Sequence, residues 1–467
     1  MKTFPKFKQP DNHHGIKVIT ESLNTHPCCP HGPTLLFSTL INNQEKRFFG
    51  CAACRDRKLC SFFMWDDKPR KVLDSQKVWQ EKGVKFSKGI CHRRLFIRLN
   101  QIKCLPSSKR IFCSSCLKFT IDEEAKHIGH SFLSNITDYQ LQHPSELLPP
   151  LDDAKMEAQY LFSKDSVKFL VDTFKNLGFR HIICVGTPRI HEYIQSSETN
   201  LSSILLDFDH RFHNFFGPLE YCWYNMFNNH FFFHEAQSVF KEYLKATKGE
   251  QTVLVTDPPF GGRTEPLIQT FNSINRQYKN LTNTENNLPI FWIFPYFMEP
   301  QIVNLRPDFK MLDYKVQYDN HALFHNGSKG RKQGSPVRIF TNLNPSKIKL
   351  PEEDYKFCSK CSRWVAKENK HCKTCGGCTS KNGETYVHCK KCERCVKPNW
   401  RHCYDCGRCA QVNHQCGKIE FTGVCLHCKA EGHKQKECPE IVKSEKVSRK
   451  RKHTQKILRN KKIKMDG

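Results

Sequence analysis

The stretch Thr252-Val-Leu-Val-Thr-Asp257-Pro258-Pro259-Phe260 decides the fold class of this chain. Its first five residues are apolar or β-branched and predict a buried strand, which the two prolines end because proline has no N–H to donate to a strand ladder. Asp257 therefore stands at the carboxyl end of a strand. Ligand sites of parallel α/β sheets lie at this end, so we expect the motif to form part of an active site.

The surrounding region, roughly 150–345, alternates short apolar runs with amphipathic segments. The apolar runs predict strands at 181–185, 203–206, 252–255 and 289–294. A helix is predicted at 165–177, and later extended segments are predicted at 314–324 and 336–341. This alternation is typical of an α/β fold with a parallel, doubly wound sheet. The glycine-rich, basic stretch 326–335 is predicted to be either a mobile substrate arm or a solvated hairpin tip.

Composition narrows the class of partner. The 467 residues include 74 Lys+Arg, 46 Asp+Glu and 26 Cys, with a formal net charge of +28, which favours nucleic acid as the partner. No apolar run approaches the roughly 20 residues of a membrane helix. The N-terminus shows no apolar signal segment, so we expect a reducing compartment in which clustered cysteines hold zinc. The basic tail 441–467 is expected to be disordered and to carry a nuclear or nucleolar address at 449–452.

The last cysteine cluster has the spacing of a CCHC zinc knuckle, whose predicted ligands are Cys425, Cys428, His433 and Cys438. Knuckles commonly bind single-stranded nucleic acid, and a purely structural zinc turn is the alternative.

A His-Cys-x2-Cys-x2-Cys unit occurs repeatedly between Cys358 and Cys416. Adjacent His and Cys side chains diverge, so we predict interleaved zinc sites whose neighbouring ligands can exchange. The predicted sets are Cys358, Cys361, His371 and Cys378; Cys372, Cys375, His388 and Cys395; Cys389, Cys392, His402 and Cys409; and Cys403, Cys406, His414 and Cys416. The module resembles the cysteine-rich part of DHHC-type S-acyltransferases. The chain lacks their Asp-His-His-Cys motif and membrane spans, so we interpret the module as structural.

Near the N-terminus, three short motifs closely resemble a GRF zinc finger: Cys29-Pro-His31-Gly32, Arg47-Phe-Phe-Gly-Cys51 and Cys60-Ser-Phe62-Phe63-Met-Trp65. The resemblance implies that zinc is bound by Cys29, His31, Cys51 and Cys60, with Cys28 and Cys54 as competing ligands. GRF fingers tend to bind single-stranded nucleic acid. Phe62 and Phe63 are predicted either to stack on bases or to form the small core of the finger.

A further predicted zinc site resembles a C2H2 finger, with Cys113, Cys116, His127 and His130 as its ligands. Its histidines are closer together than usual, and one isolated finger reads about three base pairs, so no DNA-reading helix is expected. All the predicted sets together call for about seven zinc ions.

The Asp-Pro-Pro-Phe motif suits chemistry at an exocyclic adenine amine, whose lone pair is delocalised into the ring. The Asp257 side chain and the rigidly held Pro258 carbonyl can accept the two amine hydrogens, and Phe260 can stack on the base. The pattern (Asp/Asn/Ser)-Pro-Pro-(Tyr/Phe/Trp) is the signature of amino methyltransferases that modify adenine N6. This resemblance implies the catalytic set Asp257, Pro258, Pro259 and Phe260.

A nucleoside-type methyl donor is expected at the carboxyl ends of the first strands. The turn Gly186-Thr-Pro-Arg189 follows the first strand and lacks the usual Gly-x-Gly-x-Gly. The next strand ends in Asp207, whose carboxylate can bind both ribose hydroxyls. Asp209 is the alternative ligand, and a structural cap is the non-functional interpretation.

The order of modules is similar to that of the zinc-finger CCHC-type rRNA N6-adenosine methyltransferases of animals. The predicted segments are an N-terminal tail at 1–25, a GRF finger at 26–70, a C2H2-like region at 71–145, a Rossmann-like class I methyltransferase domain at 150–345, the Cys/His-rich module at 355–418, the knuckle at 423–440 and the tail at 441–467. The resemblance implies S-adenosylmethionine as donor and an adenosine of large-subunit (28S) rRNA as substrate. It also implies a nucleolar, nuclear and partly cytoplasmic monomer without a membrane anchor, with ribosome-biogenesis proteins as partners.

On the family pattern, the donor pocket is lined by Gln159, Tyr160, Leu161, Phe162, Gly186, Arg189, Asp207, Asn225, Met226, Phe227 and Asp257. Arg189 is expected to pair with the methionine carboxylate of the donor. Two other interpretations stay open: a non-catalytic RNA-binding zinc protein with a degenerate methyltransferase core, and an N6-adenine methyltransferase that acts on another RNA or on DNA.

Overall fold

A computed structural model describes residues 16–41, 44–54, 57–67, 69–121, 127–150, 159–249, 251–320, 335–416, 421–424 and 431–432, with the backbone alone for 69–76, 421–424 and 431–432. The chain divides into two compact units, Met1–Thr385 and Tyr386–Gly467.

A mixed sheet of eight strands, β1 to β8, forms the centre of the first unit. In chain order these strands are His181–Val185, Ser202–Asp207, Tyr221–Asn225, His230–Phe231, Thr252–Thr256, Ile290–Pro295, Lys310–Met311 and Val337–Thr341. Their spatial order is β4-β3-β2-β1-β5-β6-β8-β7. Strands β3, β2, β1, β5 and β6 are parallel, β4 is antiparallel to β3, and β8 is antiparallel to both β6 and β7. The order reverses between β1 and β5, so a ligand crevice is expected at their carboxyl ends.

Helices cover both faces of this sheet. They are α1 to α5, at Lys164–Asn176, Pro188–Ser196, His234–Ala246, Thr264–Thr282 and Glu299–Leu305. Side chains alternate across each strand, so Ile182 packs in one hydrophobic cluster with α1 and α2, while Ile183 packs in another with α3, α4 and α5. The side chains that form these two clusters are almost completely inaccessible to solvent. The predicted α/β class with a doubly wound sheet is confirmed.

The extended segment predicted at 314–324 differs from the structure in its described part, 314–320. Val316 donates to the Val337 carbonyl at 3.3 Å, but the segment then leaves β8 and makes an isolated antiparallel bridge between Tyr318 and Phe162. Ser163 donates to the Gln317 carbonyl at 2.8 Å and extends this pairing. The segment therefore crosses toward the beginning of α1 instead of adding a full strand.

The N-terminal part of the first unit contains two small sheets. Strands Ile16–Ile19, Leu35–Ile41, Gln44–Gly50 and Phe63–Trp65 form a four-stranded antiparallel sheet, and Ile111–Cys113, Lys118–Thr120 and Phe132–Ser134 form a three-stranded sheet. A hairpin pairs Cys28–Cys29 with Gly32–Pro33, and helices span Pro69–Ser87, His92–Lys103, Asp138–Gln142 and Pro144–Leu147. Leu99, Phe112 and Leu141 belong to the same hydrophobic cluster as α1. The segment predicted as a separate C2H2-like region thus shares a core with the sheet domain.

The Cys/His-rich module consists of short antiparallel hairpins. In the first unit they pair Tyr355–Cys358 with Arg363–Ala366 and His371–Cys372 with Gly377–Cys378. In the second unit they pair Val387–Cys389 with Arg394–Val396 and Trp400–Cys403 with Arg408–Gln411. A further hairpin, which pairs Phe421–Val424 with Glu431–Gly432, follows the module and overlaps the segment predicted as the knuckle. Among the described residues, no helix has the length and apolarity that a membrane crossing requires.

Candidate active site and zinc centres

A cavity of about 300 Å³ lies at the carboxyl ends of β1, β2, β3 and β5. Most of the residues predicted for catalysis and donor binding line it: Gln159, Tyr160, Gly186, Asp207, Asn225, Met226, Phe227, Asp257, Pro258, Pro259 and Phe260. Ala53, Leu59, Pro188, Phe208 and Asp209 complete the lining. The fold thus brings the residues predicted to bind the donor and the Asp-Pro-Pro-Phe motif together in one cavity, although they are distant in sequence.

Asp257 follows β5 directly and keeps part of its surface open to the cavity. The surrounding protein excludes most water, and this desolvation raises the pKa of Asp257 well above its ordinary value. Tyr318, itself buried, donates a hydrogen bond to Asp257 Oδ1 at 3.0 Å, which opposes the rise. This hydrogen bond fixes the orientation of the carboxyl group.

The backbone of the motif is held at both ends. The Asp257 N–H donates to the Val185 carbonyl at 3.3 Å, and the Gly262 N–H donates to the Pro259 carbonyl at 2.6 Å. The turn therefore occupies the Pro259 carbonyl, and the Pro258 carbonyl stays the predicted backbone acceptor of the motif. A rigid proline ring fixes its direction.

Aromatic rings close the cavity beside the motif. Phe260 stacks on Tyr160 with ring centroids 5.3 Å apart and planes 26° apart, and its ring meets Tyr318 edge to face at 5.8 Å. A base that stacks on Phe260 thus enters next to an existing aromatic pair.

Gly186 makes the tight turn after β1, where the usual glycine-rich sequence is absent. Its φ is +66°, a backbone conformation that favours glycine, and an added Cβ would lie 2.7 Å from Met226 Cε. Because Met226 also lines the cavity, a larger residue at position 186 would distort the cavity wall.

The structure separates the two candidate ribose ligands at the end of β2. Both carboxylate oxygens of Asp209 contact the Arg211 guanidinium, with Nε 2.9 Å from Oδ1 and Nη2 2.7 Å from Oδ2, and both side chains are buried. Asp207 Oδ1 instead accepts a backbone bond from Asp209 N–H at 2.8 Å. Asp209 is thus neutralised by its partner, which favours Asp207 as the ribose ligand.

Burial raises the pKa of Asp207 to about 7, and its ionisation should therefore be linked to donor binding. A ribose diol donates hydrogen bonds to the carboxylate and stabilises the charged form, so binding below this pH releases a proton. We expect donor affinity to rise about tenfold from pH 6 to pH 8. Calorimetric titration in buffers of different ionisation enthalpy measures the proton count. In Asp207→Asn this contribution should disappear, and an unchanged proton count would contradict the assignment.

Arg189 differs from its prediction. Its guanidinium pairs with the Asp319 carboxylate, donates to the Phe162 carbonyl and lies 3.3 Å from Ser145 Oγ. The side chain does not belong to the cavity lining. The guanidinium therefore braces the 317–320 segment instead of facing a donor carboxylate.

Leu161 and Phe162 also lie behind the cavity rather than on its surface. Asp319 N–H donates to the Leu161 carbonyl at 2.9 Å, and Phe162 forms the isolated bridge to Tyr318. These two residues therefore position Tyr318, which the sequence analysis did not identify. Tyr318 and Asp257 are 61 residues apart, so no local pattern could reveal their contact.

The N-terminal finger forms part of the cavity wall through Ala53 and Leu59. Asn225, predicted for the donor pocket, donates through Nδ2 to the His31 carbonyl at 3.0 Å and accepts from the Phe227 N–H at 3.0 Å. Asn225 therefore joins a predicted zinc ligand to the cavity.

Five predicted ligand sets bring their nitrogen and sulfur atoms together within a single unit. In the first unit they are Cys29, His31, Cys51 and Cys60; Cys113, Cys116, His127 and His130; and Cys358, Cys361, His371 and Cys378. In the second unit they are Cys389, Cys392, His402 and Cys409, and Cys403, Cys406, His414 and Cys416.

Ligand separations in these sets fit a zinc ion. Cys116 Sγ lies 3.6 Å from His127 Nδ1, Cys358 Sγ lies 3.7 Å from His371 Nδ1, and Cys392 Sγ lies 3.7 Å from Cys409 Sγ. Tetrahedral zinc places such atoms roughly 3.5–3.8 Å apart. The chain therefore holds several Cys/His groups that suit zinc.

Two predicted ligand sets are not described as zinc sites. One contains residues from both units and stays a prediction: Cys372, Cys375, His388 and Cys395. The knuckle ligands Cys425, Cys428, His433 and Cys438 lie outside the described residues, as does the predicted basic tail. Of the competing thiols in the finger, Cys54 Sγ lies 3.9 Å from His31 Nδ1, whereas Cys28 Sγ lies 3.9 Å from the His26 carbonyl.

Comparison with known protein families identifies the class of enzyme to which the α/β domain belongs. Residues 153–342 match the family described as probable N6-adenine methyltransferase. The doubly wound sheet and the Asp-Pro-Pro-Phe motif at its switch point fit this match. The fold and the site therefore define an α/β adenine-N6 methyltransferase, a class whose methyl donor is S-adenosylmethionine.

Relatives of similar length narrow the class further. The chain is 45% identical over 463 residues to the rRNA N(6)-adenosine-methyltransferase ZCCHC4 of Homo sapiens, with 94% of this chain and 87% of the relative covered. It is 46% identical over 475 residues to the protein of the same name from Bos taurus, with 97% and 90% covered. For that of Xenopus tropicalis the identity is 47% over 377 residues, with 78% and 77% covered. The chain belongs to the family of rRNA N6-adenosine methyltransferases.

Proposed function

We propose that this chain transfers a methyl group from S-adenosylmethionine to N6 of an adenosine in large-subunit (28S) rRNA. The observation that carries the proposal is the position of Asp257, which is held by Tyr318 at 3.0 Å in the cavity that Asp207 also lines. S-adenosylmethionine supplies, when bound, a methyl group on a positively charged sulfur.

Asp257 and Pro258 prepare the adenine amine for attack. One Asp257 oxygen accepts from Tyr318, and the other is available to accept one amine hydrogen. The Pro258 carbonyl accepts the second hydrogen. Two acceptors favour a pyramidal nitrogen whose lone pair is directed away from the ring, and their fixed positions keep the amine in line for transfer.

Burial of Asp257 has a consequence for pH dependence. A carboxylate is the better acceptor for the amine hydrogen, yet desolvation raises the pKa of Asp257 and favours its neutral form. A cationic donor in the same cavity stabilises the carboxylate. The rate of transfer is therefore expected to rise with pH, and to rise most where Asp257 ionises.

The zinc modules and a basic surface are proposed to bind the RNA and present a flipped-out adenine. Helix His92–Lys103 exposes Arg93, Arg94 and Lys103, whose charges suit phosphates. Extruding a base costs a few kcal/mol, which such contacts can offset. Seven zinc ions per chain, measured by metal analysis, would support the full ligand assignment.

The substrate class is tested with matched fragments of rRNA and single-stranded DNA incubated with purified protein and methyl-labelled donor. We expect N6-methyladenosine in the rRNA fragment at a higher kcat/KM than in the DNA. Preferential methylation of DNA would overturn the RNA assignment. A chain that neither binds the donor in calorimetry nor methylates either fragment would instead be a non-catalytic RNA-binding protein.

The predicted zinc knuckle can be tested separately from the active site. Cys425→Ser removes one zinc thiolate, so we expect a higher KM for RNA, while the donor dissociation constant stays at its wild-type value. Calorimetry with the donor and steady-state kinetics with RNA measure the two quantities. Loss of donor binding would show that the knuckle supports the core fold.

Localisation and assembly are part of the same proposal. The net charge of +28 and the basic residues 449–452 support a nucleolar and nuclear location with a cytoplasmic fraction. We propose that the chain acts as a monomer beside ribosome-biogenesis proteins. Imaging of a fluorescent fusion with and without residues 441–467 tests the location.

A further inference from the structure

One face of the N-terminal four-stranded sheet carries a row of half-exposed aromatic rings. Phe37 and Phe48 are cross-strand neighbours with ring centroids 5.2 Å apart, and Phe48 and Phe63 have centroids 5.1 Å apart. The Trp65 ring continues the row at 5.0 Å from Phe63. These four rings are called the aromatic platform below.

The platform is distinct from the hydrophobic core of the finger. The opposite face of the same strands buries Leu36, Phe49 and Met64. Phe62 joins this core and is 3% exposed, whereas Phe63 points to the platform and is half-exposed. Phe62 thus belongs to the core and Phe63 to the platform, since successive residues of an extended segment face opposite sides.

Phe37, Phe48 and Phe63 form part of the wall of a second cavity, of about 540 Å³. This volume lies within the roughly 300–1,000 Å³ of typical ligand sites. Residues 259–266, which run from the catalytic motif into the first turn of α4, form another part of the wall. The two cavities share Ala53, Phe227, Pro259 and Phe260. An RNA strand that places one base beside Asp257 can therefore place a neighbouring nucleotide in the second cavity, on the other side of Phe260.

Polar groups in this second cavity suit a nucleotide. The Arg57 guanidinium lies 4.2 Å from the Phe63 ring centroid, and that of Arg263 lies 5.9 Å from the Phe37 ring. Guanidinium groups bind phosphate, and aromatic faces stack on bases of any sequence. Glu265 also lines the cavity, and a carboxylate there can accept hydrogen bonds from the edge of a base.

We propose that the second cavity binds the nucleotide next to the target adenosine, with its base on the Phe48 and Phe63 rings and its phosphate at Arg57 and Arg263. This inference rests on the proposed RNA methyltransferase function. The neighbouring nucleotide then anchors the strand on the finger while the target base lies at Asp257. The finger thereby contributes to the sequence context of methylation.

The test uses the full chain and the shortest large-subunit rRNA fragment that the wild-type enzyme methylates. Abasic nucleotides replace, one at a time, the positions on either side of the target adenosine. We expect Phe63→Ala to lower kcat/KM on the intact RNA roughly 5- to 150-fold, the effect of losing one stacked base. One abasic fragment should lower the wild-type value similarly, and Phe63→Ala should add little further loss on that fragment.

Several controls separate stacking from folding. Phe63→Tyr keeps an aromatic face and should retain most of the activity, whereas Phe63→Leu keeps apolar bulk and should behave like alanine. Leu305→Ala, at an exposed apolar residue that ends α5 and lies outside both cavities, should match wild type. Zinc content and donor affinity report whether each variant is folded, and if alanine unfolds the finger, the leucine variant decides.

Equal losses for Phe63→Ala on intact and on every abasic RNA would overturn the proposal, as would unchanged kinetics on intact RNA. Failure of the underlying function gives a different result, because the wild-type enzyme would then methylate no RNA fragment at all.

Discussion

Replacing Asp257 with alanine is expected to reduce methyl transfer to a small residual rate while the affinity for RNA stays nearly unchanged. In the proposed mechanism the Asp257 side chain accepts an amine hydrogen, and Asp257 follows β5 at the switch point of the sheet. Removal of one preorganised hydrogen-bond partner of a transition state costs about 10²–10³-fold in kcat. Single-turnover methylation measures this loss, and binding of labelled RNA measures the affinity.

Tyr318→Phe is the matched control for this variant. It removes the hydroxyl that contacts Asp257 Oδ1 but leaves the carboxyl group in place. A neutral hydrogen bond contributes about 0.5–1.5 kcal/mol, so the loss should be no more than roughly tenfold. Because this hydrogen bond lowers the pKa of Asp257, the rate profile should also move to higher pH. An Asp257→Ala enzyme with wild-type turnover would refute the role given to the carboxyl group.

Replacing Asp207 with alanine is expected to weaken binding of the methyl donor by roughly 10- to 150-fold. Its carboxylate lies at the end of β2 in the cavity wall, and we predict that it accepts hydrogen bonds from both ribose hydroxyls. Hydrogen bonds to charged groups contribute about 1.5–3 kcal/mol. Calorimetric titration with S-adenosylmethionine measures the dissociation constant. The KM for RNA should change little, since Asp207 is assigned to the donor.

Asp165→Ala supplies a control with the same change in charge and size. Asp165 is exposed in the first turn of α1 and lies outside the cavity lining. This variant should bind the donor as the wild type does. Equal donor affinity in Asp207→Ala and Asp165→Ala would exclude Asp207 as the ribose ligand and would favour the alternative ligand, Asp209.

The strands that form the switch point could be predicted because their sequences are short apolar runs with clear ends. The runs at 181–185 and 252–255 correspond to β1 and β5. Strand β3, Tyr221–Asn225, is as buried as β5 but was missed, because its Tyr, Trp and Asn residues do not form an apolar run of the kind that marks β1 and β5. The strand predicted at 314–324 is not formed in its described part, 314–320, because these residues leave β8 and cross toward the beginning of α1.

Site residues on the strand ends could be predicted for the same reason, since Asp207 and Asp257 each end an apolar run. Contacts across the fold could not. The hydrogen bond between Asn225 and the His31 carbonyl joins residues 194 positions apart, so its existence depends on how the finger packs against the sheet. Arg189 lies beside the predicted turn, yet its partner Asp319 comes from the crossing segment.

The central claim is tested most directly by mass spectrometry of N6-methyladenosine in purified large-subunit rRNA. Cells that lack the protein are compared with the same cells expressing the wild-type chain or Asp257→Ala. The proposed function predicts that the modification is lost in the deletion, restored by the wild type and not restored by Asp257→Ala. An unchanged level of N6-methyladenosine in the deletion, or its restoration by Asp257→Ala, would contradict it.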